Sequence, residues 1–387
     1  MRLPIPTGVA TSALLAAAFL APAAASRSRP SLPVGQAFQR NIVPQHILRS
    51  DLFKYVPNVL SKKANENFKR WITTHHTRPG PRSSASVSEW ISDDAANTIW
   101  GGYEKGNLFT VTTYLTDCSS PEGMRVDRSG NLVVACTNSG KVNIYSAGNT
   151  TGPANTVYAE DSVVSGTTTY YYPSDAFEDV HGNVYATNLY GFACNATTCT
   201  YIPGSIAYWP ANSANGSLPT SYITDTNSYE MYFGDIDVHG NCYVDGERTS
   251  SSIYVDELPK CASNSNTSLG ITLHFPGGVY VVSPRNKKKT MLSVIDQGTY
   301  GANNSMLYVY ALPYTGTPLF SELLPQNVHD TCDPVAGGFD KNERHIKIGD
   351  AGCHDADYGV VATNSWTQVF SANFLQPIDA AFVPSDK

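Results

Sequence analysis

The pentapeptide DVHGN stands at residues 179–183 and again at 237–241, and a third stretch, Asp127-Arg128-Ser129-Gly130-Asn131, keeps its Asp, Gly and Asn. Each copy is followed by a strand-like run: LVVA after Asn131, VYAT after Asn183 and CYVD after Asn241. A short apolar or alternating run (GMRV, DAFE, GDI) precedes each Asp. The pattern reads as strand, tight turn, strand. Asp opens the turn by bonding its own backbone, and Gly and Asn tolerate the positive φ that a tight turn demands. A third strand with aromatic residues follows (KVNIYSAG 141–148, GSIAYWP 204–210, SIYVDELP 252–259), and then a fourth, as in TVYAED or TSYITD.

Four antiparallel strands per unit make a propeller blade. Asp127 and Asp179 are 52 residues apart, and Asp179 and Asp237 are 58 apart. The next copy, Asp340-Lys341-Asn342-Glu343-Arg344 before HIKIG, lies 103 residues on, which leaves room for one degenerate unit at 277–324. The tail, Pro377-Ile378-Asp379-Ala380-Ala381-Phe382, matches the first half of a unit (Pro173-Ser174-Asp175-Ala176-Phe177), whereas 88–115 looks like a unit without its first strand. The two halves complete one blade and leave no open sheet edge. The expected fold is all-β: six four-stranded blades over 87–387, closed by the carboxy-terminal strand. Seven blades, one supplied by residues 26–86, is the alternative.

The chain opens with a basic residue, Arg2, an apolar run from Gly8 to Leu20, and Ala23-Ala24-Ala25. This reads as a secretory signal peptide over 1–25. Residues 26–86 are basic and Pro/Ser-flanked and read as a disordered tether, with a short helix near Asn58–Trp71. Residues 1–82 hold 12 Lys and Arg against 2 acids, and residues 83–387 hold 14 against 31. The body is therefore acidic, which argues against nucleic acid as its partner. No other stretch is long enough to span a membrane. The expected location is secreted, extracellular or periplasmic, in the cell envelope, and the expected state is a monomer.

Eight cysteines behind a signal peptide favour disulfides. The blade map pairs Cys118 with Cys136, Cys332 with Cys353, Cys242 with Cys261 and Cys194 with Cys199. A loop of about 18 residues closed in this way contributes about 3 kcal/mol through the unfolded chain. His181 and His239 occupy the same turn of different blades and read as solvated turn residues rather than a ligand pair.

The innermost strands of a propeller line a central channel. The residues near their starts are Glu122, Asp175, Asp235, Asp333 and Asp379, a carboxylate in five of the six blades. Packed carboxylates repel unless protons or a cation neutralise them, and hard oxygen ligands suit Ca²⁺ or another divalent cation. These five are the candidate metal set; the competing reading is that they cap turns and face solvent or backbone amides. Gly349 to Asp357 groups His354 with Asp350, Asp355 and Asp357; a polar loop is the default for that stretch. No G-x-S-x-G or H-E-x-x-H motif occurs. Several of the 23 tyrosines, Tyr170-Tyr171-Tyr172, Tyr190, Tyr229 and Tyr232, fall just before inner strands. Such a face can stack sugars or grip peptides; equally, tyrosine is common in half-buried strands.

Residues Pro121 to Ala135 (PEGMRVDRSGNLVVA), followed by NSGKV at 138–142, resemble a blade of the NHL-repeat and gluconolactonase/senescence-marker-protein group, six-bladed propellers whose units read P-D-G-x-x-V-D-x-x-G-N-L-W-V-A. The whole is similar to exported NHL-like propellers of bacterial genomes. The lactonase branch implies one divalent cation held by an acid and Asn residues, with an Asp as general base. Glu122 falls on that family's acid and is the candidate catalytic residue, whereas Ser174 and Gly277 stand at places comparable to its Asn ligands. The NHL branch implies binding of proteins, peptides or glycans through its faces. The leading expectation is an exported binding or scaffold module recognising a protein, peptide or glycan through the channel-mouth face. The alternatives are a metal-dependent lactonase or esterase and a structural protein of the cell envelope.

Overall fold

The repeated turn recurs almost atom for atom in the computed structural model. In its three copies the Asp Oδ1 accepts the backbone N–H groups two and four residues on, at 2.7 and 2.8 Å for Asp127, 2.8 and 3.0 Å for Asp179, and 2.8 and 2.8 Å for Asp237. The Asn amide donates back to Asp Oδ2 at 2.7, 2.7 and 2.9 Å. Its own oxygen accepts the backbone N–H of Ala147, Ala211 or Lys260, beyond the third strand of the same unit. Gly130, Gly182 and Gly240 sit at φ 84°, 82° and 81°, where a Cβ would be strained. One five-residue phrase thus ties three strands together. His181 and His239 are exposed, and each gives its backbone N–H to the turn. In the degenerate copy, His345 stands in for Asn, with its N–H on Asp340 Oδ1 and its Nδ1 2.9 Å from Oδ2.

Asn183→Ala removes bonds of 2.7 and 2.9 Å and should cost about 1–2 kcal/mol at this half-buried site. Urea unfolding at neutral pH measures it. A loss no larger than that of an exposed control such as Asn227→Ala would refute the stitching role.

The structure describes residues 87–383 apart from 106–107, 128, 149–151, 160–166, 196, 251, 283–289, 300–303, 325–332, 341–344, 354, 361–364 and 372. The signal peptide, the tether, its short helix and Cys332 lie outside the described residues. After β1 (Glu89–Asp93), β2 (Thr98–Lys105) and β3 (Leu108–Leu115) come blade 2, with β4 (Pro121–Val126), β5 (Leu132–Cys136), β6 (Lys141–Tyr145) and β7 (Asn155–Tyr158), and blade 3, with β8 (Thr168–Glu178), β9 (Val184–Cys194), β10 (Cys199–Ile202), β11 (Ser205–Trp209) and β12 (Ser221–Thr224). Blade 4 has β13 (Ser228–Ile236), β14 (Cys242–Arg248), β15 (Ile253–Leu258) and the two-residue β16 (Thr267–Ser268). Blade 5 has β17 (Pro276–Val282), β18 (Met291–Asp296), β19 (Met306–Ala311) and β20 (Pro318–Leu323). Blade 6 has β21 (Pro334–Phe339), β22 (His345–Asp350), β23 (Asp355–Val360) and β24 (Ser365–Phe370), and β25 (Pro377–Phe382) ends the described chain.

β25 pairs antiparallel with β1, from Glu89↔Phe382 to Asp93↔Pro377, and so supplies the inner strand of blade 1. The inner strands β25, β4, β8, β13, β17 and β21 neighbour one another in a closed cycle. The ring has six blades of four antiparallel strands, not seven. An apolar cluster fills each gap between blades, such as Phe177, Met231 and Ile236 between blades 3 and 4 or Ile91, Trp100, Ala356 and Val369 between blades 6 and 1. The seam is also held by charge. Lys347, 1% exposed, reaches from blade 6 to Glu89 and, at 2.7 Å, to Glu104 of blade 1. At the seam the Val383 N–H donates to the Ser88 carbonyl at 2.7 Å.

Three expected disulfides form: Cys118–Cys136, Cys194–Cys199 and Cys242–Cys261, with Cα–Cα distances of 5.1, 4.0 and 5.0 Å. Cys353 is also disulfide-bonded. These bonds are consistent with an extracellular location. No described helix is long and apolar enough to cross a membrane.

Candidate functional site

Each inner strand starts on one face of the ring, here the mouth, and runs to the opposite face, which bears the turns. Four of the six start with proline, Pro121, Pro276, Pro334 and Pro377, and Pro173 stands in the middle of the longer β8, at its register slip. Proline suits a strand's first residue, where no ladder N–H is needed. The register then slips in every inner strand, between the pairs of Pro121 and Met124, Pro173 and Asp175, Met231 and Gly234, Pro276 and Val279, Pro334 and Gly337, and opposite Ser92 and Asp93 in blade 1. Such bulges bend the strand and re-aim its side chains.

Here they aim three carboxylates at one guanidinium. Arg125, on the inner strand of blade 2, is 3% exposed. Its Nη1 lies 3.1 Å from Asp379 Oδ2 of blade 1, its Nη2 2.9 Å from Asp175 Oδ2 of blade 3, and its Nε 3.8 Å from Asp235 Oδ2 of blade 4. Nη2 also donates to the Val279 carbonyl of blade 5 at 2.9 Å, and the guanidinium lies 4.9 Å from the Tyr280 ring centre. One side chain of blade 2 therefore meets four other blades. The aspartates also bind the neighbouring inner strand. Asp379 Oδ2 accepts Met124 N–H at 2.7 Å, Asp175 Oδ2 accepts Gly234 N–H at 3.2 Å, and Asp235 Oδ2 accepts Val281 N–H at 2.8 Å. Gly123 permits the approach: a Cβ there would stand 2.1 Å from Asp175 Oδ1.

Burial pushes Asp175 up to about 7 and Asp379 up to about 6, against the pull of Arg125. Burial on its own would lower the guanidinium's affinity for its proton, but the three carboxylates more than reverse this. Glu122 does not join the knot. It is 2% exposed, its Oε2 has no hydrogen-bond partner, and burial, with Asp94 and Asp175 nearby, raises it well above the usual carboxylate range. Asp333 precedes Pro334 and gives its backbone N–H to Asp350 Oδ1 at 2.8 Å; burial, then the Asp350 charge, lifts its carboxyl to about 7.

The five acids picked from the sequence as one equivalent set are thus three structures. Asp175, Asp235 and Asp379 meet at Arg125, Glu122 lies apart, and Asp333 belongs to a loop of blade 6. The bulges cause the difference, because counting from the proline does not preserve direction. Four of the five are almost fully buried, so they do not form an acidic rim at the mouth. The residues around the axis do not fit a resident divalent cation of the lactonase type. The positive charge among the acids is Arg125, and at the place compared with an Asn ligand the Ser174 hydroxyl donates to the Tyr232 carbonyl.

Aromatic side chains mark the outer part of the mouth. β8 and β9, each 11 residues long, continue past the ring as a hairpin arm, extended by β10 and pinned by Cys194–Cys199. This arm is longer than the small disulfide loop expected from the sequence. Its aromatic rings pack in a chain: Tyr172–Tyr190 tilted at 5.1 Å, Tyr190–Phe192 T-shaped at 5.6 Å, Tyr190–Tyr201 tilted at 6.0 Å and Tyr201–Tyr229 stacked at 4.8 Å between ring centres. Tyr229, from the extended start of β13, carries the wall onto blade 4, and the Tyr201 hydroxyl donates to its carbonyl at 2.6 Å. Tyr172, Tyr190, Tyr201 and Tyr229 are all half-buried. The Tyr170-Tyr171-Tyr172 run ahead of Pro173 is the sequence signal for this wall. Tyr232 is instead buried, with its hydroxyl on Glu230 at 2.6 Å.

No protein-family model matches the chain, and neither does any curated protein. Among solved structures it is similar to one of a nidogen/laminin complex (TM-score 0.49, 10% identity, 77% of this chain and 98% of that one). It is likewise similar to a functionally unknown protein from Desulfotomaculum acetoxidans DSM 771 (0.47, 10%, 77% and 99%) and to a protein of unknown function from Bacteroides caccae (0.46, 11%, 77% and 98%).

Proposed function

We propose that this protein is an exported binding module of NHL-like type that takes a protein, peptide or glycan on its mouth face. The wall of half-buried tyrosines across blades 3 and 4 carries this reading. Tyrosine offers a large apolar face with a polar tip and loses little conformational entropy on binding, and it is enriched at interfaces. The six-bladed frame holds the wall rigidly, and the fold is consistent with a protein-binding scaffold. The lactonase reading draws no support from the axis, where the positive charge among Asp175, Asp235 and Asp379 is Arg125.

The test is a glycan and peptide array probed with the mature protein, its Tyr190→Ala and Tyr229→Ala variants, and Asn183→Ala on the opposite face. A ligand of the mouth should bind each tyrosine variant at least about tenfold more weakly, the effect of losing roughly 1.4 kcal/mol at one contact. Asn183→Ala should leave binding unchanged. Equal retention by all four proteins, or loss confined to Asn183→Ala, would reject the assignment.

A further inference from the structure

A second set of carboxylates lies in blade 6. Asp350 ends β22, Asp355 opens β23 directly opposite, and Asp357 follows two residues on, facing Ile348. Cross-strand partners and residues two apart share a face of a sheet, so the three carboxyl groups project together. One oxygen from each lies within 4.8 Å of the others, and all three residues are fully buried. Asp350 Oδ1 accepts three backbone N–H groups, those of Asp333, Gly352 and Cys353. Asp350 Oδ2 and both oxygens of Asp355 and of Asp357 have no hydrogen-bond partner. No Lys, Arg or His among the described residues pairs with them.

The other blades show how unusual this is. Asp93 of blade 1 and Asp296 of blade 5 hold the place of Asp350, each paired with the proline of its inner strand. Both are satisfied. Asp93 takes the N–H groups of Ala96, Leu375 and Gln376 and the Trp100 indole at 3.2 Å. Asp296 takes those of His274, Phe275 and Gly298 and has the His274 ring at 2.9 Å. Where blade 6 places Asp355 and Asp357, blade 1 has Thr98 and Trp100, and blade 5 has Met306 and Tyr308. The axial aspartates, for their part, have Arg125. Among the described residues, only the blade 6 group gathers three such carboxylates, with five buried oxygens that have neither donor nor counter-charge.

We propose that Asp350, Asp355 and Asp357 form a calcium site. Buried unpaired carboxylates are costly, and such groups are found paired or coordinating metal. A site built from oxygen alone, with several carboxylates able to bind through one or both atoms, suits Ca²⁺, which takes six to eight oxygen ligands in flexible geometry; Mg²⁺ demands a stricter octahedron. The ion would clip the β22–β23 hairpin to the loop entering β21 through the Asp333 N–H on Asp350, locking the last complete blade beside the seam.

The test uses the full mature protein stripped with a chelator, followed by calorimetric titration with CaCl₂ and thermal unfolding with and without the metal. One Ca²⁺ per chain is expected, with a Tm rise of about 5 °C at hundredfold excess over Kd. The double variant Asp355→Asn/Asp357→Asn should bind Ca²⁺ at least about a hundredfold more weakly and lose the Tm rise. Its metal-free Tm should equal or exceed that of the stripped parent, because two buried charges are gone; this separates a lost site from a lost fold. Three results would overturn the proposal: no Ca²⁺ binding at millimolar concentration, binding retained in the double variant, or full stabilisation of the parent by acid alone with no response to calcium.

Discussion

Arg125→Ala should leave little folded protein at pH 8. The substitution strands Asp175, Asp235 and Asp379 in the axis, where all three are fully buried. Removing one partner of a buried ion pair costs about 3–5 kcal/mol, and here three acids lose one cation, against a total stability of about 5–15 kcal/mol. The loss should depend on pH, and its sign follows from the acids. Burial raises Asp175 to about 7 and Asp379 to about 6 in the folded protein, above the unfolded value of about 3.9. A raised acid contributes stability that is complete below the unfolded pKa and is lost as pH climbs through the folded one. The parent should therefore weaken between about pH 4 and 7. Without the guanidinium the folded values rise further, so the variant should weaken more steeply and over a window reaching higher pH. Urea unfolding at pH 5 and pH 8 reads this directly: the variant's deficit should be larger at pH 8. Arg125→Lys, a point charge without the fork that spans several partners, should fall between. A variant whose Tm at pH 8 lies within about 2 °C of the parent would refute the axial role of Arg125.

Truncation before Pro377 should be equally severe. It deletes β25, and with it five paired residues on β1, the Asp379 bonds to Met124 and Arg125, and the buried Ile378 and Ala380. It also uncovers β1 as a free edge, which invites association with other chains. The expected product elutes as aggregate and lacks a cooperative thermal transition, and a synthetic 374–387 peptide added during refolding should recover part of the monomer. Retention of a sharp monomeric transition within about 5 °C of the parent would show that the ring does not depend on its seam.

The ring is legible in the sequence because its signal is local. Asp, Gly and Asn at fixed spacing close a turn with five residues, and each turn announces a hairpin. The missing half-units at the two ends are legible for the same reason. The axis is not. Arg125 looks like one charged residue in an apolar strand, and its partners lie 50 and 254 residues away in the cases of Asp175 and Asp379. Which acids face it depends on bulges that leave no mark in the residue pattern. The tyrosine wall is half legible, since the residues stand out but the hairpin arm that lifts them does not. Asp350, Asp355 and Asp357 are visible as an acidic stretch, yet only the register of β22 on β23 turns them to one side.

Because Ser88 and Val383 meet at the seam, on the rim that carries the Asp-x-x-Gly-Asn turns, both ends of the ring leave from the same side. Any anchor or fusion partner joined at either end would suspend the molecule with its tyrosines pointing outward. Immobilisation through the termini should thus keep the aromatic side accessible, whereas grafts on the hairpin arm would occlude it.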